Sequence, residues 1–254
     1  MSWKLEFILV WLVIGFLAQF IDGTIGMGYG VSSTTALVTI GVYPAIASAS
    51  VHTAKIFTGL ASGGAHLKFG NVERNWILHL VIPGIIGGVM GAFVLTQLSG
   101  KAPSVLVGAV LLIMGFIILF KFASKNNGHF RTTPPSSKTL VPLGYVAGFT
   151  DALGGGGWGP IATTTLVCNN CKPCKAIGSV NFAEIFVAAA EATTFLLLIG
   201  PANFNWLVVL GLIAGGIICA PIAAWLCKKL PHRILGLFVA ASVIPLSIYI
   251  IFRI

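Results

Sequence analysis

Asp22-Gly-Thr-Ile-Gly26-Met-Gly28-Tyr29-Gly30 recurs 129 positions later as Asp151-Ala-Leu-Gly-Gly155-Gly-Gly157-Trp158-Gly159. The same shift gives 18 identities over the 43 gapless positions from Gly15 to Phe57, far above chance, so the chain carries an internal duplication. Under it Thr34-Thr35 meets Thr163-Thr164, Pro44 meets Pro173, and Ser50-Val51 meets Ser179-Val180.

Outward from these stretches the sequence is apolar. It is 57% hydrophobic and only 8% charged, with mean hydropathy +0.98, which excludes a domain with a water-facing polar shell. Ten apolar segments are predicted, at about 5–21, 24–40, 44–66, 76–98 and 102–122, then 139–152, 155–168, 173–199, 205–227 and 231–252. The two sets of five share one rhythm. The expected fold is therefore an all-α polytopic membrane protein of two inverted repeats, 1–123 and 139–254, joined by a polar cytoplasmic linker at 124–138. Segments 139–152 and 155–168 read as too short to span comfortably, hence as half-helices or a re-entrant hairpin. Met1 to Phe20 has a leader-like Lys4 ahead of an apolar run, but it belongs to the duplicated unit and is expected to stay in the chain.

Lys and Arg set the orientation, because positive connections are retained in the cytoplasm. Lys121, Lys125, Arg131 and Lys138 put the linker inside, and counting outward puts Lys68/Arg74, Lys172/Lys175 and Lys228/Lys229/Arg233 inside too. The uncharged connection 200–205 falls outside while its counterpart near Lys68 falls inside. The net charge of +9 thus reads as a topology signal spread over connections, and no nucleic-acid partner is expected.

Two constellations carry candidate chemistry. In the paired glycine stretches, Asp22, Gly26, Gly28, Tyr29, Gly30, Asp151, Gly155, Gly157, Trp158 and Gly159 suggest unwound backbone whose N–H groups could hold an anion at the start of a following half-helix. The alternative is that the glycines only permit close packing and the aspartates are helix caps. Hydroxyls from Ser33, Thr34 and Thr163 follow each stretch. The second constellation is a polar stripe on the third segment of each half. Ser48, His52, Lys55, Gly59 and Ser62 fall in one, and Asn181, Glu184 and Glu191 in the other; Ser50 and Ser179 of the duplicated Ser-Val pairs are candidates beside them. Charges at membrane depth are costly and face a pathway or a partner. Lys55 and Glu184 are duplication mates, so a pseudo-two-fold axis could bring them together either as a docking pair or as part of a substrate site.

Cys168, Cys171 and Cys174 sit at spacings of three in a basic connection without a second ligand pair, so no metal site is assigned and no disulfide framework is indicated. Neither a hydrolase motif nor a phosphate-binding loop is present, and neither a cofactor nor an enzymatic activity is expected.

The residues Phe20-Ile-Asp22-Gly-x-x-Gly26-x-Gly28-x-Gly30, Gly148-Phe149-x-Asp151 through Trp158-Gly159-Pro160, and the Ser-Val pairs resemble the sulfite exporter TauE/SafE family of membrane permeases along essentially the whole chain. The resemblance implies transport of a small sulfur-containing anion such as sulfite, sulfoacetate or thiosulfate. Backbone N–H groups, hydroxyls and one lysine suit an oxyanion, whereas a cation carrier would show more converging carboxylates. A cell-membrane permease working by alternating access is expected, with a small anion and the bilayer as partners and a proton as candidate coupling ion. A passive channel and a receptor subunit are the alternatives.

Overall fold

The computed structural model describes residues 2–99, 101–123, 135–169, 171–227, 229 and 232–252. Among them there is no strand. Ten α-helices follow one another: α1 (Ser2–Ile25), α2 (Tyr29–Thr39), α3 (Pro44–Lys68), α4 (Arg74–Gln97), α5 (Ala102–Ala123), α6 (Ser137–Gly154), α7 (Trp158–Cys168), α8 (Pro173–Ile199), α9 (Trp206–Leu226) and α10 (His232–Phe252). A 3-10 turn at Pro201–Asn203 joins α8 to α9. Residues 124–134 of the expected linker lie outside the described residues.

Two boundaries differ from the sequence reading. The second segment does not begin at 24: α1 runs on to Ile25, and α2 occupies only Tyr29–Thr39. The sixth is not short, since α6 takes in polar Ser137, Lys138 and Thr139 and reaches 18 residues, roughly 27 Å or about the hydrocarbon thickness. A helix end at the interface can hold polar residues that a hydropathy window rejects. Only α2 and α7, at 11 residues each, are about 16 Å long and cover half a bilayer.

Among the described residues, five helices are long and apolar enough to cross a membrane, lying in α1, α4, α5, α8 and α9. Their outward side chains confirm the solvent: Leu78, Phe93, Phe120 and Leu197 are all more than half exposed, a surface suited to lipid and not to water. The 25-residue α3 fails the same apolar criterion because Ser48, His52, Lys55, Ser62 and His66 line it, and all of these are buried. It is an interior helix whose polar face meets protein.

Helix α3 packs on α8 and α9, α4 on α6 and α8, α1 on α9, and α5 on α10. These pairings keep their form when the first five helices are exchanged for the last five: α1 on α9 becomes α6 on α4, and α3 on α8 maps onto itself. Small residues make the closest contacts, as expected where apolar burial cannot drive association inside a bilayer. A Cβ on Gly148 of α6 would overlap the Gly84 carbonyl of α4, and one on Gly215 of α9 would overlap the Leu12 carbonyl of α1.

Candidate functional site

Where α1 gives way to α2, Gly26 (φ 72°) and Gly28 (φ 132°) adopt left-handed backbone, and Gly155 (φ 68°) does so between α6 and α7. Residues with a Cβ are strained there. Each aspartate reaches over its turn to the helix that follows: Tyr29 N–H donates to Asp22 Oδ1 (3.4 Å) and Trp158 N–H to Asp151 Oδ1 (3.1 Å). Each aspartate therefore acts as a cap on the first amide of the following helix and brings a negative charge to that helix start.

The two turns also cross each other. Thr34 Oγ1 donates to the Gly155 carbonyl (3.1 Å), and its mate Thr163 Oγ1 donates to the Gly26 carbonyl (2.7 Å). A Cβ on Gly30 would overlap the Gly155 carbonyl, one on Gly156 would overlap the Val31 amide, and one on Gly159 would lie 2.7 Å from the Gly26 carbonyl. Backbone meets backbone at these three glycines.

Beside the crossing lies a buried charged cluster. Lys55 Nζ is 2.7 Å from Asp151 Oδ2 and 2.6 Å from Glu184 Oε1. His52 Nε2 is 3.3 Å from the same Asp151 oxygen and 2.9 Å from Glu191 Oε2. The other imidazole nitrogen, Nδ1, is 2.7 Å from the Ser48 carbonyl, and Ser48 Oγ donates to the Ala152 carbonyl (2.7 Å). His52, Asp151 and Glu191 are fully buried. Glu191 Oε1 has no hydrogen-bond partner among the described residues. Asp22 is close enough to Lys55, Asp151 and Glu184 to interact with their charges.

The duplication is visible in this cluster. Shifted by 129, His52 and Glu191 become Asn181 and Ser62; those two are also bonded, with Ser62 Oγ donating to Asn181 Oδ1 at 2.8 Å. One half thus holds an ionisable pair where the other holds a neutral pair. The carboxylates converge more than the sequence reading anticipated. Asp22, Asp151, Glu184 and Glu191 surround one lysine and one histidine, and Lys55 is already shared by two of them.

Other expected site residues lie elsewhere. Ser179 Oγ accepts from the Glu73 N–H (2.8 Å) at the start of α8, and Trp158 Nε1 donates to the Val180 carbonyl (3.0 Å). Ser33 and Ser50 are buried, and Ser33 Oγ is without a hydrogen-bond partner among the described residues. The sequence reading missed His66 and Asn71. His66 Nε2 lies 3.1 Å from the Gly23 carbonyl, and Asn71 Nδ2 lies 3.1 Å from His66 Nδ1, with both residues buried. His66 follows Ser62 by four residues and so continues the same stripe. Neither of two surface grooves touches the cluster: one, of about 430 Å³, is lined by Val89, Phe93 and Leu197 on the outer faces of α4 and α8, and the other lies around Tyr43 and Tyr249. The charged residues His52, Lys55, Asp151, Glu184 and Glu191 are all buried.

A many-helix membrane protein with paired interrupted segments and buried charges in its interior fits a membrane transporter. The sulfite exporter TauE/SafE family pattern matches residues 11–250, and the chain belongs to that family of membrane transporters. It is 44% identical over 240 residues to the probable membrane transporter protein YtnM of Bacillus subtilis (strain 168), covering 93% of this chain and 80% of that protein. It is 21% identical over 265 residues to the probable membrane transporter protein YunE of the same organism, covering 95% and 96%. No solved structure matches the chain.

Proposed function

We propose that the chain is a cell-membrane permease for a small sulfur-containing oxyanion such as sulfite, sulfoacetate or thiosulfate. It works by alternating access of two inverted halves, 1–123 and 139–254, with the linker cytoplasmic and a proton as coupling ion. The observation that carries this reading is Lys55, the cation held between Asp151 and Glu184 in the interior. Four carboxylates against one lysine and one histidine make the cluster unfavourable to an entering anion unless protons enter as well. A proton on Glu184 weakens its hold on Lys55 and leaves the ammonium available to an oxyanion. The family's description, sulfite exporter, supports the substrate class.

The test is uptake into proteoliposomes of a panel of sulfur oxyanions, carboxylates and divalent cations under an imposed pH gradient. Saturable sulfite uptake that rises when the donor side is acidified is expected. Uptake that neither saturates nor responds to pH means a channel. Cation uptake without anion uptake is the second reading, favoured by His52, Asp151 and Glu191, whose ligand atoms lie within 4.8 Å of one another.

A further inference from the structure

Cys174 lies in the first turn of α8 and Cys227 caps the end of α9. Their sulfurs are 3.4 Å apart, and Cys174 Sγ is 3.7 Å from the Cys227 carbonyl. They are not disulfide-bonded in this structure. Bringing the sulfurs to bonding distance, about 2.05 Å, needs only a small shift of side chains that already face each other. Cys174 is partly exposed while Cys227 is buried. Lys172 and Lys175 flank Cys174, although Lys175 also donates to the Val72 carbonyl (3.3 Å) and lies 3.8 Å from Glu73. A partly exposed, electropositive helix start is the setting in which reactive cysteines are found.

The position of the pair gives it consequence. Helices α8 and α9 are joined at one end by the turn at Pro201–Asn203, and the two thiols meet at the opposite end. Helix α3, which carries His52 and Lys55, packs on both: a Cβ on Gly63 would lie 3.0 Å from Phe182 Cα of α8, and Thr58 faces Gly216 of α9. A covalent bond between the thiols turns this hairpin into a closed clamp around α3. We propose that Cys174 and Cys227 are a reversible redox pair whose disulfide closes the α8–α9 hairpin on α3 and slows transport.

The oxidant is a low-molecular-weight disulfide. The Cys174 thiolate attacks one of its sulfurs, forming a mixed disulfide and releasing one small thiolate. The Cys227 thiolate then attacks the Cys174 sulfur and releases the second. Two electrons pass to the oxidant, and the two protons leave with its two thiols. The reductant that reverses the change is a thiol pair.

The experiment uses the full-length protein, reconstituted and treated with oxidised glutathione and then with dithiothreitol, followed by thiol alkylation, peptide mass mapping and sulfite uptake. A peptide linking Cys174 to Cys227, a several-fold fall in uptake, and recovery of both on reduction are expected. The variants Cys174→Ser and Cys227→Ser should keep uptake and lose its sensitivity to oxidant. No linked peptide, linkage to Cys168 or Cys171 in place of Cys227, or a linked peptide with unchanged uptake overturns the proposal. The peptide map needs no transport assay, so absence of sulfite uptake before oxidation counts against the substrate reading alone. In that event the clamp is read from the unfolding temperature in detergent, which should rise on oxidation in the wild type and stay fixed in Cys227→Ser; no rise in the wild type overturns it.

Discussion

Lys55 and Glu184 occupy the same position in the two halves, and their charged atoms lie 2.6 Å apart in the interior. The contact is not exclusive, because Asp151 Oδ2 holds the same ammonium at 2.7 Å. Removing the lysine therefore strips two buried carboxylates of their cation. Lys55→Met is expected to destabilise the protein by about 3–5 kcal/mol, whereas Glu184→Gln leaves the Lys55–Asp151 pair and keeps the fold. Thermal unfolding in detergent checks both. Lys55→Met with Glu184→Met still leaves Asp151 short of its lysine and should recover only part of the loss; full recovery of folding would mean that Asp151 does not depend on Lys55.

The His52–Glu191 pair has a neutral counterpart in Asn181–Ser62. Installing that counterpart, His52→Asn with Glu191→Ser, keeps a bonded pair at this depth but removes two groups that can carry a proton. On the proposed proton coupling, anion entry brings protons with it, so wild-type uptake should rise as pH falls. In the double variant this slope should flatten while folded protein is retained. An unchanged slope would take this pair out of the coupling path and leave Glu184 and Asp22 as the candidates.

At the crossing of the two turns, Gly156→Ala places a methyl against the Val31 amide, and backbone cannot retreat as a flexible side chain can. Loss of folded protein is expected, read by size-exclusion chromatography. Gly64→Ala in α3 meets nothing within 4 Å and should behave as wild type. A well-folded Gly156→Ala protein would show that the turns can separate without penalty.

The proposed inverted halves put equivalent connections on opposite membrane faces, which predicts opposite labelling. Lys68 and Asn203 are both exposed, so Lys68→Cys in a cysteine-free background should react with an impermeant maleimide from the cytoplasmic side and Asn203→Cys from outside. Labelling of both from one side ends the inverted arrangement.

The pairing of Lys55 with Glu184 was suggested by the sequence because the 129-residue shift makes them mates with opposite charge, and mates that lie near a pseudo-axis become neighbours. The third partner was not. Asp151 reaches Lys55 only because α6 ends beside α3, a tertiary contact that no local pattern encodes. The glycine stretches were rightly read as unwound backbone, and Asp22 and Asp151, seven residues ahead of Tyr29 and Trp158, each accept the first amide of the helix that follows, a contact that only the folded turn makes visible. His66 ends the apolar segment drawn at 44–66, and its spacing of four from Ser62 places it on the buried stripe, a continuation the sequence reading did not make. The length of α6 was hidden by polar residues at its start.

The reciprocal bonds of Thr34 to Gly155 and Thr163 to Gly26 bear on how the protein is made. The Gly26 carbonyl and the Thr34 hydroxyl leave the ribosome before their partners have been synthesised, a delay of about ten seconds at ordinary elongation rates. Throughout that time the leading part of the chain sits in the bilayer with its central turn incomplete. The crossing can close only once residues 155 and 163 have been made, so a nascent chain stopped short of residue 155 lacks both of these bonds.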